Sequence, residues 1–111
     1  LQRIEKLMRE EKAYVDSELT IDLVARKLHE NRYYVSHAIN KCLLKNFNTY
    51  VNEYRIKEAI RLMSDAQAEK LSINEIAYDS GFNDRKNFYR VFKKNTGLSP
   101  SVFRNNLQQT N

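Results

Sequence analysis

The sequence predicts an all-α protein of about seven helices, arranged as two helix-turn-helix subdomains joined by a long helix. Three observations carry that reading. Two glycines and one proline in 111 residues are too few for a sandwich or barrel full of tight turns. Apolar residues recur at three- and four-residue spacing along most of the chain. Residues 19–50 are also echoed by residues 71–103 at a nearly constant offset. The length suits one domain, or two very small ones sharing a helix. Each half alone would have a marginal core.

Leu1 to Ala13 carries Leu1, Ile4, Leu7 and Met8 on one side with charges between them, an amphipathic helix. Tyr14 to Leu19 is a connection. Thr20 caps a short helix with Ile21, Val24, Ala25 and Leu28 on its inner face. His29, Glu30 and Asn31 form a turn, and Asn31 caps a third helix running to about Leu44. The apolar stripe there is Val35, Ala38, Ile39, Cys42 and Leu43, so Cys42 is expected as a buried structural thiol.

Phe47 to about Ser64 reads as the longest helix, roughly 25 Å at about 1.5 Å per residue. Asp65 to Lys70 reads as a polar loop. Ser72 and Glu75 form an S-x-x-E capping box before Ile73, Ile76 and Ala77. Gly81 closes that helix and Phe82 plugs the turn. Asn83 or Asp84 caps the next helix, through about Thr96, with Gly97 suited to the position after it. Ser99-Pro100 starts the last helix, which passes through Phe103 and Leu107. Residues 1–46 then form the first subdomain, 47–65 the joining helix and 66–111 the second subdomain.

The repeat is specific. Leu19-Thr20-Ile21 with Val24-Ala25 returns 52 residues later as Leu71-Ser72-Ile73 with Ile76-Ala77. Past the turn the offset is 53, pairing Asn31 with Asp84, Val35 with Phe88, Ile39 with Phe92, Lys41 with Lys94, Phe47 with Pro100 and Tyr50 with Phe103. A short helix, a turn and a longer polar-faced helix are the parts of a unit whose second helix enters the major groove of DNA.

Charge points the same way. Gly81 to Arg104 holds six basic residues against one acid, Asp84, which accounts for the whole chain's net charge of +5. No acid occurs from Asn31 to Asn52 either. A basic, half-apolar helix is the footprint of an element that packs on a core and faces a polyanion. Two histidines and one cysteine show no metal-ligand spacing, and there is no phosphate-cradling glycine loop or nucleophile motif. An enzyme is therefore not expected, nor a cofactor or metal. Glu10 and Glu11 lie among charges of both signs and read as a solvated face. No apolar run reaches the length of a membrane span, so no membrane contact by this fragment is expected. With the lone Cys42, that fits a cytoplasmic protein. The chain opens on Leu1 without methionine and is expected to be a fragment of something larger.

The run Ser72-Ile73-Asn74-Glu75-Ile76-Ala77, then Gly81-Phe82, Phe88, Phe92-Lys93-Lys94, Gly97 and Pro100, resembles the C-terminal signature of the AraC/XylS family of transcriptional regulators. Leu19-Thr20, Val24-Ala25, Val35-Ser36, Phe47, Tyr50 and the segment from Arg55 to Ala59 are similar to its first half. The resemblance covers roughly residues 15 to 105. It implies sequence-specific double-stranded DNA binding as the output domain of a transcription regulator, with two recognition helices in successive major grooves. The implied partners are duplex DNA and either RNA polymerase or a missing N-terminal sensor or dimerisation domain. A helical protein-interaction module, its basic face turned to an acidic partner, is the competing reading. Leu44 departs from the family's usual glycine, and Asn40 from its usual bulky aromatic.

Candidate contacts follow from face and resemblance together. In the second reading helix Phe88 and Phe92 belong to the core, flanked by Val91. The remaining face holds Arg85, Lys86, Tyr89, Arg90 and Lys93. Arginine pairs bidentately with guanine O6 and N7, and lysine reaches the same edge. The resemblance places Lys86 and Arg90 at base-contacting positions, and Asn87 is a third candidate, suited to adenine. Arg85, Lys93, Lys94 and Arg104 are assigned to phosphates, which set affinity and position rather than sequence. In the first reading helix the resemblance places Tyr33, Ser36 and His37 at bases. Arg32 and Lys41 are assigned to phosphates. Arg55 matches an arginine of the family's linker helix, with a structural salt bridge and a DNA contact both open.

Overall fold

The computed structural model describes residues 1–65 and 71–109. Of the polar loop expected at 65–70, residues 66–70 lie outside them. Among the described residues the fold is seven α-helices and no strand. They are α1 (Gln2–Glu11), α2 (Ile21–Lys27), α3 (Arg32–Leu43), α4 (Phe47–Ser64), α5 (Ile73–Asp79), α6 (Arg85–Thr96) and α7 (Pro100–Gln109). A single 3-10 turn, Ala13–Val15, sits in the first connection.

Two compact units divide the chain, Leu1–Tyr54 and Arg55–Asn111. In the first, Ile4, Leu7 and Met8 of α1 meet Val24, Ala25 and Leu28, then Val35 and Ile39 of α3, and Tyr50 and Val51 of α4. Tyr54 stacks on Tyr14 at 5.7 Å and meets Tyr50 edge-on at 5.3 Å. Burial pushes the Tyr50 phenol well above its ordinary pKa, so the core there stays neutral. In the second unit Ile56, Ala59 and Met63 of α4 meet Ile76 and Ala77 of α5, with Phe82, Phe88, Val91 and Phe92. The rings form a chain: Phe82 to Phe88 at 5.1 Å, Phe88 to Phe92 at 5.6 Å, Phe92 to Phe103 at 5.3 Å. Ile56, which the sequence analysis did not single out, is 4% exposed.

The repeat holds at the level of individual hydrogen bonds. Thr20 accepts from the Leu23 N–H at 3.2 Å, and Ser72 accepts from the Glu75 N–H at 3.0 Å. Glu75 completes the capping box by accepting from the Ser72 N–H at 3.3 Å. In the two turns Glu30 N–H donates to Ala25 and Phe82 N–H to Ala77, each at 2.9 Å. These partners are 52 apart, whereas the next caps, Asn31 and Asp84, are 53 apart. The additional residue is therefore Asn83, placed where an insertion disturbs neither helix.

The backbone also repeats where it turns left-handed. His29 (φ 57°) matches Gly81 (φ 109°), and Leu44 (φ 55°) matches Gly97 (φ 82°). At Leu44 the helix stops in the same geometry that glycine supports at Gly97, although a side chain there costs about 1–2 kcal/mol. That side chain gains nothing in return, being 89% exposed.

Cys42 is exposed, not buried as its place in the apolar stripe suggested. The stripe is correctly phased at Val35 and Ile39, both fully buried. But Cys42 falls in the last turn of α3, where its neighbour Leu43 takes the half-buried place against the core. Phase alone does not bury a residue.

Leu44→Gly is expected to raise the unfolding free energy by about 0.5–1 kcal/mol, the strain relieved less the entropy glycine loses on folding. Gly97→Ala should lower it by about 1 kcal/mol, since nothing lies within 4 Å of the added Cβ and only the backbone term acts. Urea unfolding of both variants checks the pair.

Candidate nucleic-acid interface

Helix α6 begins at a polar cap, where Asp84 accepts from the Lys86 N–H at 3.0 Å. Its twelve residues include five basic ones and no acid. Phe88, Val91 and Phe92 are buried, while Arg85, Lys86, Arg90, Lys93 and Lys94 are exposed. At about 100° per residue, Lys86 and Arg90 each lie about 160° from Phe88, on the side facing away from the core. Lys93 and Lys94 fall in the last turn, where a cation complements the helix dipole.

Two of these side chains are already held. Arg90 Nη2 donates to Asn87 Oδ1 at 2.7 Å. The Arg85 guanidinium lies 5.2 Å from the centre of the Tyr89 ring, a cation–π contact. Asn87 and Tyr89 are half-buried, so each anchors an exposed arginine from a more fixed position.

Arg104 differs from the other cations. It lies on α7, half-buried, and its Nη1 donates to the Leu71 carbonyl at 2.7 Å across 33 residues. Arg55 lies with its guanidinium 5.9 Å from the Phe82 ring centre. Sequence reasoning passed over Glu58, a buried acid gripped by Arg61 through two bonds of 2.7 and 2.8 Å. The only signal for it was an oppositely charged residue three positions on, which a helix brings to the same side.

Helix α3 presents a different surface. Arg32 faces Asp22 of α2 at 3.7 Å, both largely exposed. Tyr33 is 71% exposed and its ring stacks on that of His37, centroids 5.5 Å apart and planes 16° from parallel. Asn40, exposed where the family's aromatic would be, donates to Ser36 Oγ at 3.2 Å. Lys41 is exposed in the last turn. Beside these residues an open groove of about 550 Å³ is lined by Thr20, Asp22, Arg32, Ser36, Asn46 and Phe47 among others. Lys45 closes the end of the unit by holding both Glu53 oxygens, at 2.7 and 3.1 Å. The 53-residue offset between α3 and α6 pairs Tyr33 with Lys86 and His37 with Arg90. Each helix thus shows two residues one turn apart at matching positions.

Among the described residues no cluster of histidine, cysteine and acids could hold a metal, and no helix is long and apolar enough to cross a membrane.

A helix-turn-helix domain family matches residues 24–106. The chain belongs to the AraC/XylS family of transcriptional regulators. YijO of Escherichia coli K12, an uncharacterized HTH-type transcriptional regulator, is 36% identical over 95 residues. That match takes in 82% of this chain but only 32% of YijO, so the chain spans about a third of that relative's length. The C-terminal domain of the two-component response regulator yesN from Fusobacterium nucleatum is 28% identical with a TM-score of 0.78, covering 93% of this chain and 95% of that one. The C-terminal domain of AraT, a response regulator from Geobacillus stearothermophilus, is 28% identical with a TM-score of 0.79, covering 95% and 82%. This AraC/XylS domain is a DNA-binding domain of a transcription regulator, and its family is not one of enzymes.

Arg104→Ala is expected to lower the unfolding free energy by about 1–2 kcal/mol through loss of the charged bond to Leu71. A lower urea midpoint at unchanged slope is the sign of it. An unchanged midpoint would leave its charge as the side chain's only role.

Proposed function

We propose that this domain binds a specific duplex DNA sequence, with α3 and α6 entering successive major grooves, as the output of a transcription regulator. The observation that carries the reading is the exposed face of α6: five cations and no acid on a helix anchored by Phe88 and Phe92. Such a face supplies sequence-independent attraction to phosphates and also donors at the right pitch for base edges.

Lys86 and Arg90 read guanine in this scheme. Asn87 either reads adenine or serves Arg90 through the bond between them. On α3, Tyr33, Ser36 and His37 face base edges. Arg32, Lys41, Arg85, Lys93, Lys94 and Arg104 meet phosphates, although Arg104 has a nitrogen committed to Leu71. Residues 1–46 and 66–111 act as the two reading subdomains, and residues 47–65 as their linker. The domain works in the cytoplasm, with either RNA polymerase or an N-terminal sensor or dimerisation domain as its protein partner. Family membership supports these last assignments.

Affinity for a duplex selected from a random pool is expected to fall steeply with salt, as counterions are released. Binding no tighter than to an arbitrary polyanion would point to an acidic protein partner instead. Arg90→Ala is expected to cost about 1–3 kcal/mol on the selected site and to relax choice at one base pair, whereas Lys93→Ala weakens all sequences alike and lowers the salt slope by about one unit. Asn87→Ala should cost nothing further in the Arg90→Ala background if Asn87 acts through Arg90. An additive loss would make Asn87 a base reader in its own right.

A further inference from the structure

The two reading helices show unlike chemistry at matched positions. On α6 the pair is Lys86 and Arg90, two donors suited to guanine acceptors. On α3 the pair is Tyr33 and His37, two stacked rings, with Tyr33 71% exposed. No basic residue lies between Arg32 and Lys41, so the cations of α3 flank the rings at either end.

We propose that the Tyr33–His37 ring pair gives the first unit a preference for bases carrying a 5-methyl group in the major groove, thymine above all. The two half-sites then differ in kind, with guanine under α6 and thymine under α3. The proposal rests on the reading that both helices enter major grooves.

The physical case has three parts. The Tyr33 ring stacks on His37 and is 71% exposed on a polar helix face, so its apolar surface is offered outward. Stacking nearly in parallel fixes the Tyr33 ring at little further entropy cost on binding, which favours a shaped apolar contact over a searching side chain. The 5-methyl of thymine is the apolar feature that the major groove displays, and no other standard base carries it. Ser36, bonded to Asn40, stands beside the rings as a hydroxyl able to meet either a donor or an acceptor.

The test replaces thymine by uracil, one position at a time, in the duplex selected by this domain. Only a methyl group is removed each time, and Watson–Crick pairing is kept. At one or two positions in the half-site under α3, affinity is expected to fall about fourfold, the worth of one buried methyl group. In Tyr33→Ala the same replacement should change nothing. Because Tyr33 is largely exposed, that variant is expected to melt with the parent, and a melting curve verifies it. Full affinity at every uracil duplex would overturn the proposal, as would a loss that persists undiminished in Tyr33→Ala. If no preferred duplex emerges from selection at all, it is the reading of specific DNA binding that fails.

Discussion

Everything that α6 can do depends on two phenylalanines one turn apart. A twelve-residue helix is too short to be stable alone in water, and five like charges along it make matters worse. Burying Phe88 and Phe92, each worth about 1.5–3 kcal/mol in transfer terms, is what holds it. Their burial also sets the rotation of the helix, so that Lys86 and Arg90 can point nowhere but outward. Val35 and Ile39 do the same for α3 with less apolar volume.

The two units show how far such a scheme tolerates change. The caps, the turn bonds and the left-handed stops recur, because each satisfies backbone groups that a helix end leaves open. Residue identity at those points is looser: leucine stands at one stop and glycine at the other, both left-handed. One inserted residue, Asn83, is absorbed between a turn and a cap, where no ladder of helical bonds has to shift. The outward faces have diverged most. Rings occupy on α3 the positions that cations occupy on α6, a freedom available because neither set contributes to the core.

Much was legible from residues alone. Caps at Thr20, Asn31 and Ser72 follow from side chains that compete for the first free N–H groups, a local effect. Burial of Phe88 and Phe92 follows from a period of 3.6 residues. Cys42 shows where that logic stops, since it is in phase with Val35 and yet exposed. Whether a residue in phase is covered depends on what packs against that turn, which periodicity does not report. Ile56 and Glu58 escaped notice for a related reason. Helix α4 has apolar residues on more than one side, so no single stripe marks which positions are inside.

The sequence by itself determined the helical class, the position of nearly every helix, the repeat and the concentration of charge in the second half. All of these are properties of spacing and composition, and spacing is local. Only the tertiary structure decided which cation is drawn away from its own helix. Arg90 to Asn87 and Arg85 to Tyr89 are contacts within one helix, three and four residues apart, whereas Arg104 is drawn in to a carbonyl 33 residues away. A long, flexible cation has many possible partners within reach, and which one it takes depends on surfaces brought together by packing. It also decided that Tyr33 and His37 present one stacked surface, because ring orientation is set by the side-chain rotamers and not by the spacing.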